Sequence, residues 1–255
     1  MIQTAAAAII QSLVVLLVCL AKSQRFIVNT PFRDKCLCVH YHKSEGPARE
    51  TAEMIGKAGG KAWTAGADLT TPDGVAGLVE KIKSHWDALD ILVNNTGDLV
   101  QRRRIADLDD ALYEHVMRVN IYSAVAACRG CIPLLKAGRS PSIINLSSVA
   151  AHHGGANGAT LYATTKGAIH TFTYGLAKEL APEIRVNGIA PGVIHTDFHK
   201  IHTKPEVLES IAGNTALKRL GLAEDIGGAV VFLCAQAGAF ITGEIIEING
   251  GLWFA

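Results

Sequence analysis

From about residue 40 the chain alternates short apolar runs with longer amphipathic stretches. Four runs are brief and dominated by aliphatic residues: Leu89–Val93 (LDILV), Ser142–Leu146 (SIINL), Ile184–Ile189 (IRVNGI) and Ile245–Ile248 (IIEI). Runs of this length, without polar alternation, read as strands covered on both faces. Between and around them lie stretches of helical length at Ala48–Ala58, Asp73–His85, Asp109–Leu135, Leu161–Leu180 and Ala223–Ala235. The alternation predicts an α/β fold, a doubly wound parallel sheet of about seven strands in three α/β/α layers. No repeat, low-complexity linker or break in composition divides the chain, so residues 1–255 are expected to form one Rossmann-like domain.

The strand ends locate the chemistry. In open parallel sheets a ligand sits beyond the carboxyl ends of the strands, where the strand order reverses. Leu89–Val93 runs into Asn94-Asn95-Thr96-Gly97, Ser142–Leu146 into Ser147-Ser148, and Ile184–Ile189 into Ala190-Pro191-Gly192. Three small, polar or glycine-containing turns thus line one prospective crevice.

Composition narrows the partners. A net charge of +1, with 18% charged residues, supplies no field for nucleic acid or an anionic membrane, so a small-molecule partner is expected. The six cysteines lack the dense spacing of a secreted disulfide scaffold, which points to reduced thiols and a cytoplasmic location. Cys128 and Cys131 form a C-x-x-C inside an apolar helical run; with no second pair at zinc-ligand spacing, core packing is the expected role.

Tyr162 and Lys166 stand four residues apart in LYATTKGAIH, on one face of the predicted helix. A free tyrosine, with a pKa near 10, is a poor proton-transfer group at neutral pH. A neighbouring ammonium favours the phenolate and brings the phenol closer to use. By itself Y-x-x-x-K occurs on many helices by chance.

Its surroundings are more specific. SIINLSSVAA, then LYATTKGAIHTFTYGLAKELAPEIRVNGIAPGVIHTDF, resembles the catalytic half of the short-chain dehydrogenase/reductase family. NNTG at Asn94–Gly97, GADLT around Asp68, VNIYS around Asn120 and the closing FITGEIIEINGG resemble further motifs of that family, in the same order, over roughly residues 40–255. The resemblance implies an NAD(P)-dependent oxidoreductase that moves a hydride between a nicotinamide and a carbonyl or alcohol. It makes Tyr162 the general acid or base, Lys166 the group that lowers its pKa and binds the nicotinamide ribose, Ser148 the group that polarises the substrate oxygen, and Asn120 the holder of a water linked to Lys166. It makes Ser147 structural. It places the dinucleotide against Tyr41, Lys43, Asp68 and Leu69, against Asn94, Thr96 and Gly97, and against Pro191, Gly192, Ile194 and Thr196. The spacing from Ser148 to Tyr162 is one residue longer than the commonest family pattern and reads as an extra residue in the loop Gly154–Gly158. Family members commonly assemble as homotetramers through their long helices, here Asp109–Leu135 and Leu161–Leu180.

One motif of the family is missing. The glycine-rich turn T-G-x-x-x-G-x-G lets backbone approach a pyrophosphate at a helix N-terminus; residues 1–39 contain no glycine. Three readings of this segment stand side by side. Ala5–Ala21 is an apolar run at the short limit for a membrane anchor. The segment can equally be a diverged strand–helix unit with weakened dinucleotide binding. It can also be a shifted reading frame, since codons for Gln11 through Val18 read out of frame are able to encode Val-Thr-Gly-Gly-Ser-Ser-Gly. The nucleotide sequence tests the last.

The end of the second strand, Val39-His40-Tyr41-His42-Lys43-Ser44, has no carboxylate for a ribose 2′-hydroxyl, whereas Lys43 and Ser44 suit a 2′-phosphate; NADP is expected over NAD. His195, His199 and His202 have spacing that could cluster them on a helix as metal ligands, but the stretch falls in the family's substrate lid, where no metal is required and contact of His195 or His199 with substrate is an alternative reading. Arg102–Arg104 form a small basic patch, read as a solvated loop with docking of an acidic carrier protein or a phosphorylated substrate as the alternative. Tyr174 reads as packing or subunit contact. For the reaction, 3-oxoacyl-carrier-protein reduction and glucose 1-dehydrogenase-like sugar oxidation stay open, beside a catalytically silent member acting as an oligomeric scaffold.

Overall fold

The computed structural model describes residues 16–20 and 35–254. The apolar N-terminal run and the two other readings of the glycine-free segment fall mostly outside these residues. The strands are β1 (Leu16–Leu20), β2 (Lys35–Tyr41), β3 (Lys61–Gly66), β4 (Ile91–Asn94), β5 (Ser142–Leu146), β6 (Arg185–Pro191) and β7 (Ile245–Ile248). They form one sheet in the order β3-β2-β1-β4-β5-β6-β7. The helices are α1 (Glu45–Lys57), α2 (Pro72–Lys83), α3 (Asp110–Met117), α4 (Ser123–Lys136), α5 (Ala150–His153), α6 (Thr160–Leu180), α7 (Asp197–His202), α8 (Pro205–Asn214) and α9 (Ala223–Cys234). Among the described residues no helix is long and apolar enough to cross a membrane.

The side-chain period of a strand sorts the core into two layers. Cys38, Leu92, Ile143 and Val186 face α2, α4 and α6, packing with Leu78, Ile82, Cys131, Leu135 and Leu180. Their neighbours Leu37, Val39, Val93, Ile144 and Ile189 face α1 and α9, packing with Ile55, Ile226 and Leu233. Both faces are covered, which is why the central strands carry no polar alternation. Cys128 and Cys131 lie in the first layer, their thiols pushed up to about 12 by burial, as core packing requires.

Boundaries move where backbone groups find other partners. The strand expected from Leu89 begins at Ile91, because the Leu89 N–H donates to the Leu134 carbonyl at 3.0 Å and Asp90 Oδ1 accepts the Arg139 N–H at 2.6 Å. The helix expected over Asp109–Leu135 is continuous but passes through a π-turn at Arg118–Tyr122. β3 was not legible as a strand, since it is the sheet's edge and most of its residues are only half-buried.

The parallel sheet has one exception. β2–β3, β4–β5, β5–β6 and β6–β7 pair in parallel, whereas β1 runs antiparallel to both neighbours, Leu16 opposite Val39 and Val93, and Leu20 opposite Lys35. β1 therefore leaves the sheet at the edge opposite the carboxyl ends of the other strands.

Ile143 is fully buried at the centre of the first layer. Ile143→Ala is expected to lower unfolding free energy by about 2–5 kcal/mol, measured by denaturant titration.

Candidate active site

Six parallel strands bring their carboxyl ends to one edge, and β4, β5 and β6 deliver the three turns singled out above. β5 ends at Leu146, so Ser147 and Ser148 leave the sheet at its rim. Ser147 Oγ donates to the Lys166 carbonyl at 2.9 Å and ties the strand to α6. Ser148 remains beyond it; its Oγ accepts the Ala150 N–H at 3.1 Å and shares a hydrogen bond with the Tyr162 phenol.

Tyr162 and Lys166 sit on one face of α6, the ammonium 5.7 Å from the centre of the phenol ring. Lys166 is 4% exposed, and its Nζ donates to the Leu146 carbonyl at 2.8 Å. Burial brings the ammonium down to about 8, still charged at neutral pH. Burial pushes the phenol up to about 12, against the Ser148 hydrogen bond and with the Asp98 carboxylate adding to the rise. At neutral pH this is a protonated acid beside a cation, held in a site poor in water.

The floor of the site is the turn after β4. Asn120, in the π-turn, receives the Asp98 N–H at 3.1 Å on Oδ1 and donates from Nδ2 to the Asp98 carbonyl at 2.8 Å and the Val116 carbonyl at 3.0 Å. Both amide hydrogens are thus spent, one with Oδ1 on pinning Asp98 and the other on the preceding helical turn at Val116, a role the sequence reading had not assigned beside the water expected there. A π-turn interrupting a helix at such a point re-aims one side chain without ending the helix. Gly97 shows how tight the arrangement is: a Cβ there would lie 2.9 Å from both Asn120 Oδ1 and Lys166 Nζ. Asn94 donates to Asn145 Oδ1 at 2.8 Å and to Cys128 Sγ at 3.1 Å, holding β4 to β5 beneath the turn.

The remaining expected contacts are placed as follows. Asn94 Oδ1 and Thr96 Oγ1 are buried without a hydrogen-bond partner among the described residues, two orphaned polar atoms at the crevice. Gly192 lies where a Cβ would meet Asn249 Cα at 2.7 Å, and the Pro191 carbonyl accepts the Val149 N–H. Thr196 heads α7 with its hydroxyl on the Ile194 carbonyl at 3.3 Å. Asp68 Oδ1 accepts from Thr70 N and Oγ1; these bonds outweigh burial and hold the carboxyl below its ordinary range. Lys43 is exposed beyond β2. The Tyr41 ring lies against Gly66, and the Leu69 and Ile194 side chains are buried in the two apolar layers. Any ligand contact at Leu69 or Ile194 falls to its backbone.

Sequence reasoning missed the contacts that close the site from above. Phe198 in α7 lies 5.8 Å from the Tyr162 ring, and His202 Nε2 meets Asp98 Oδ1 at 2.7 Å. Arg102 donates to the His202 carbonyl and, at 2.8 Å, to the Ala156 carbonyl, so one arginine of the basic patch ties the lid to the Gly154–Gly158 loop. Asp98 and His202 are 104 positions apart, a separation no local pattern reveals.

A family model described as enoyl-(acyl carrier protein) reductase matches residues 34–253. The chain belongs to the short-chain dehydrogenase/reductase family. It is an oxidoreductase of that family, whose members act with NAD or NADP on alcohol and carbonyl groups. This dehydrogenase/reductase is 32% identical to an uncharacterized oxidoreductase of Escherichia coli K12, over 84% of this chain and 89% of that one. It is 34% identical to a 3-oxoacyl-[acyl-carrier-protein] reductase of Aquifex aeolicus, over 79% and 80%. Among solved structures, a Pseudomonas aeruginosa protein in an NADP active-site complex superposes with a TM-score of 0.77 at 29% identity, over 84% of this chain and 85% of that one.

The described residues suit the nicotinamide half of a dinucleotide, by the orphaned Thr96 hydroxyl and the Cβ-free space at Gly97. They include no glycine-rich turn for the pyrophosphate: β1 runs the opposite way and exits at the far edge. Gly97→Ala is expected to displace the Lys166 ammonium and reduce turnover roughly a hundredfold, the order that a misplacement of about 1 Å costs. Steady-state kinetics with a thermal melt beside them separate this from unfolding.

Proposed function

We propose that the protein reduces a carbonyl with NADPH, a 3-oxoacyl thioester being the favoured substrate. The observation that carries this is the Ser148–Tyr162 hydrogen bond beside a buried, charged Lys166. Two hydroxyls that meet at one point suit a single substrate oxygen. Charge develops on that oxygen as hydride arrives at its carbon, and preorganised donors act best where charge develops. A bound NADPH supplies the hydride. Tyr162 gives its proton to the oxygen, Ser148 holds the same oxygen, and Lys166 stabilises the phenolate left behind. The buried phenol, pushed up to about 12, is held in the acid form that reduction uses. The pair of hydroxyls also favours C=O over C=C reduction, since the latter presents no oxygen at the reacting carbon.

The thioester rests on the carrier-protein reductase among the relatives and on Arg103 and Arg104, which stay exposed beside the site and suit an acidic carrier. NADP over NAD rests on Lys43 and the absence of a carboxylate at the end of β2. A homotetramer rests on family resemblance and on the exposed apolar side chains Val231, Phe232, Phe240 and Phe254. The scaffold alternative draws on the missing glycine-rich turn.

Tyr162→Phe is expected to cut turnover by about 10²–10⁴ while leaving NADPH binding, followed by nucleotide fluorescence, within a few-fold of wild type. Undiminished turnover in the variant would end the mechanism, and no saturable binding of either dinucleotide by the wild type would favour the scaffold. Lys43→Ala is expected to weaken NADPH several-fold and NADH hardly at all, the contrast growing at low salt; equal losses for both would remove the preference for NADP.

A further inference from the structure

Behind the Ser148–Tyr162–Lys166 group, three elements bring together side chains that the reaction does not use. His152 comes from α5, His170 from α6 and Glu247 from β7. One ligand atom from each lies within 4.8 Å of the other two. His152 Nε2 and Glu247 Oε1 are 2.7 Å apart, and the second carboxylate oxygen accepts the Asn249 amide at 3.3 Å. The His170 ring meets that of His152 at 5.1 Å, edge to face. His170 is only 9% exposed, and its Nε2 is buried without a hydrogen-bond partner among the described residues.

A buried imidazole nitrogen left unpaired costs free energy unless something binds it. We propose that His152, His170 and Glu247 bind one divalent transition-metal ion, zinc by preference. Two imidazoles and a carboxylate are a donor set suited to zinc, which takes four ligands at about 2.0–2.2 Å. Ligand atoms around a tetrahedral zinc stand about 3.4 Å apart; reaching that needs the His152–Glu247 pair to open and His170 to close in, each by an ångström or so. Glu247 already has an outer partner in Asn249, the kind of support that orients a ligating carboxylate. His152 and Glu247 are partly exposed, 26% and 19% at their side chains, which leaves an entry path and a fourth position for water. The ion would join the end of the sheet to α6, which carries Tyr162 and Lys166, and to α5, which follows Ser148.

The proposal is independent of the hydride-transfer reading, and its test does not use activity. The chelator-treated full-length protein is titrated with zinc against a chromophoric zinc indicator, with tryptophan fluorescence followed in parallel. Trp253 stacks on His152 at 6.0 Å, interplanar angle 12°, and reports the site directly. The expected result is one zinc per chain, a raised melting temperature, and a fluorescence change that Trp253→Phe abolishes. His152→Gln, His170→Gln and Glu247→Gln should each weaken zinc at least about tenfold, since even an outer partner of a ligand is worth 10–100-fold. Should His170→Gln fail to fold, the two partly exposed positions carry the same test. No saturable binding by the wild type would overturn the site, as would equal affinity in the wild type and the His152 and Glu247 variants.

Discussion

Lys166 places an ammonium where almost no water reaches it, and the rest of the site is arranged around that fact. A buried cation is costly unless its donors are met. Here one donor is taken by the Leu146 carbonyl at the end of β5, and the approach from β4 is open only because residue 97 has no side chain. The same burial explains the electrostatics. Desolvation brings the ammonium down towards neutrality and drives the phenol upward, so the two groups are poised by water exclusion more than by mutual attraction. The Ser147 hydroxyl, Asn120 and the Asn94–Asn145 pair do not touch a reacting atom in this arrangement; they hold the backbone against which the ammonium rests.

The sheet divides into two parts with different relations to a ligand. β4 to β7 run in parallel and deliver their carboxyl ends to the crevice. β1, at the point where strand order reverses, runs the other way. In a doubly wound sheet that central position is where a turn and a helix N-terminus would meet a pyrophosphate. Reversal carries the exit of β1 to the opposite edge. The ends of β2 and β3 still present Lys43 and Asp68 on one side, and the β4 turn presents Thr96 and Gly97 on the other. The two ends of a dinucleotide would be held more firmly than its middle, and affinity would depend on the ends.

How much of this the sequence disclosed follows from the range of the interactions. Tyr162 and Lys166 were legible because the α-helix itself brings positions i and i+4 together. Ser148 and Gly97 were legible because they end apolar strands, and parallel strands share an edge. Boundaries failed where backbone bonded outside its own element, as at Leu89 and Asp90. β3 escaped because an edge strand is half-exposed and loses the apolar continuity of its neighbours. Asp98, Phe198 and the pairing of His202 with Asp98 escaped for a different reason: the lid meets the β4 turn only after the whole chain has folded, and nothing in local spacing encodes the meeting. At Leu69 and Tyr41 the side chains are engaged in packing, which a motif by itself does not reveal.

The same distinction bears on His152, His170 and Glu247. His195, His199 and His202 have suggestive spacing, yet His199 is half-buried, with its pKa brought down to about 4 by desolvation and Nδ1 on Thr203 Oγ1, and His202 is committed to Asp98. The three groups that do converge have no local spacing in common. Helix α6 makes the link between the two sets of chemistry. Tyr162, Lys166 and His170 recur every four residues, so one face carries a phenol, an ammonium and an imidazole in succession. The first two face the crevice, and the third has drifted round far enough to meet α5 and β7. A divalent charge at that end would lie within electrostatic reach of Lys166, which His170 already senses. It would oppose protonation of both groups, disfavouring the charged ammonium and favouring the charged phenolate. An ion seated there would therefore bear on both the stiffness and the proton balance of the catalytic helix.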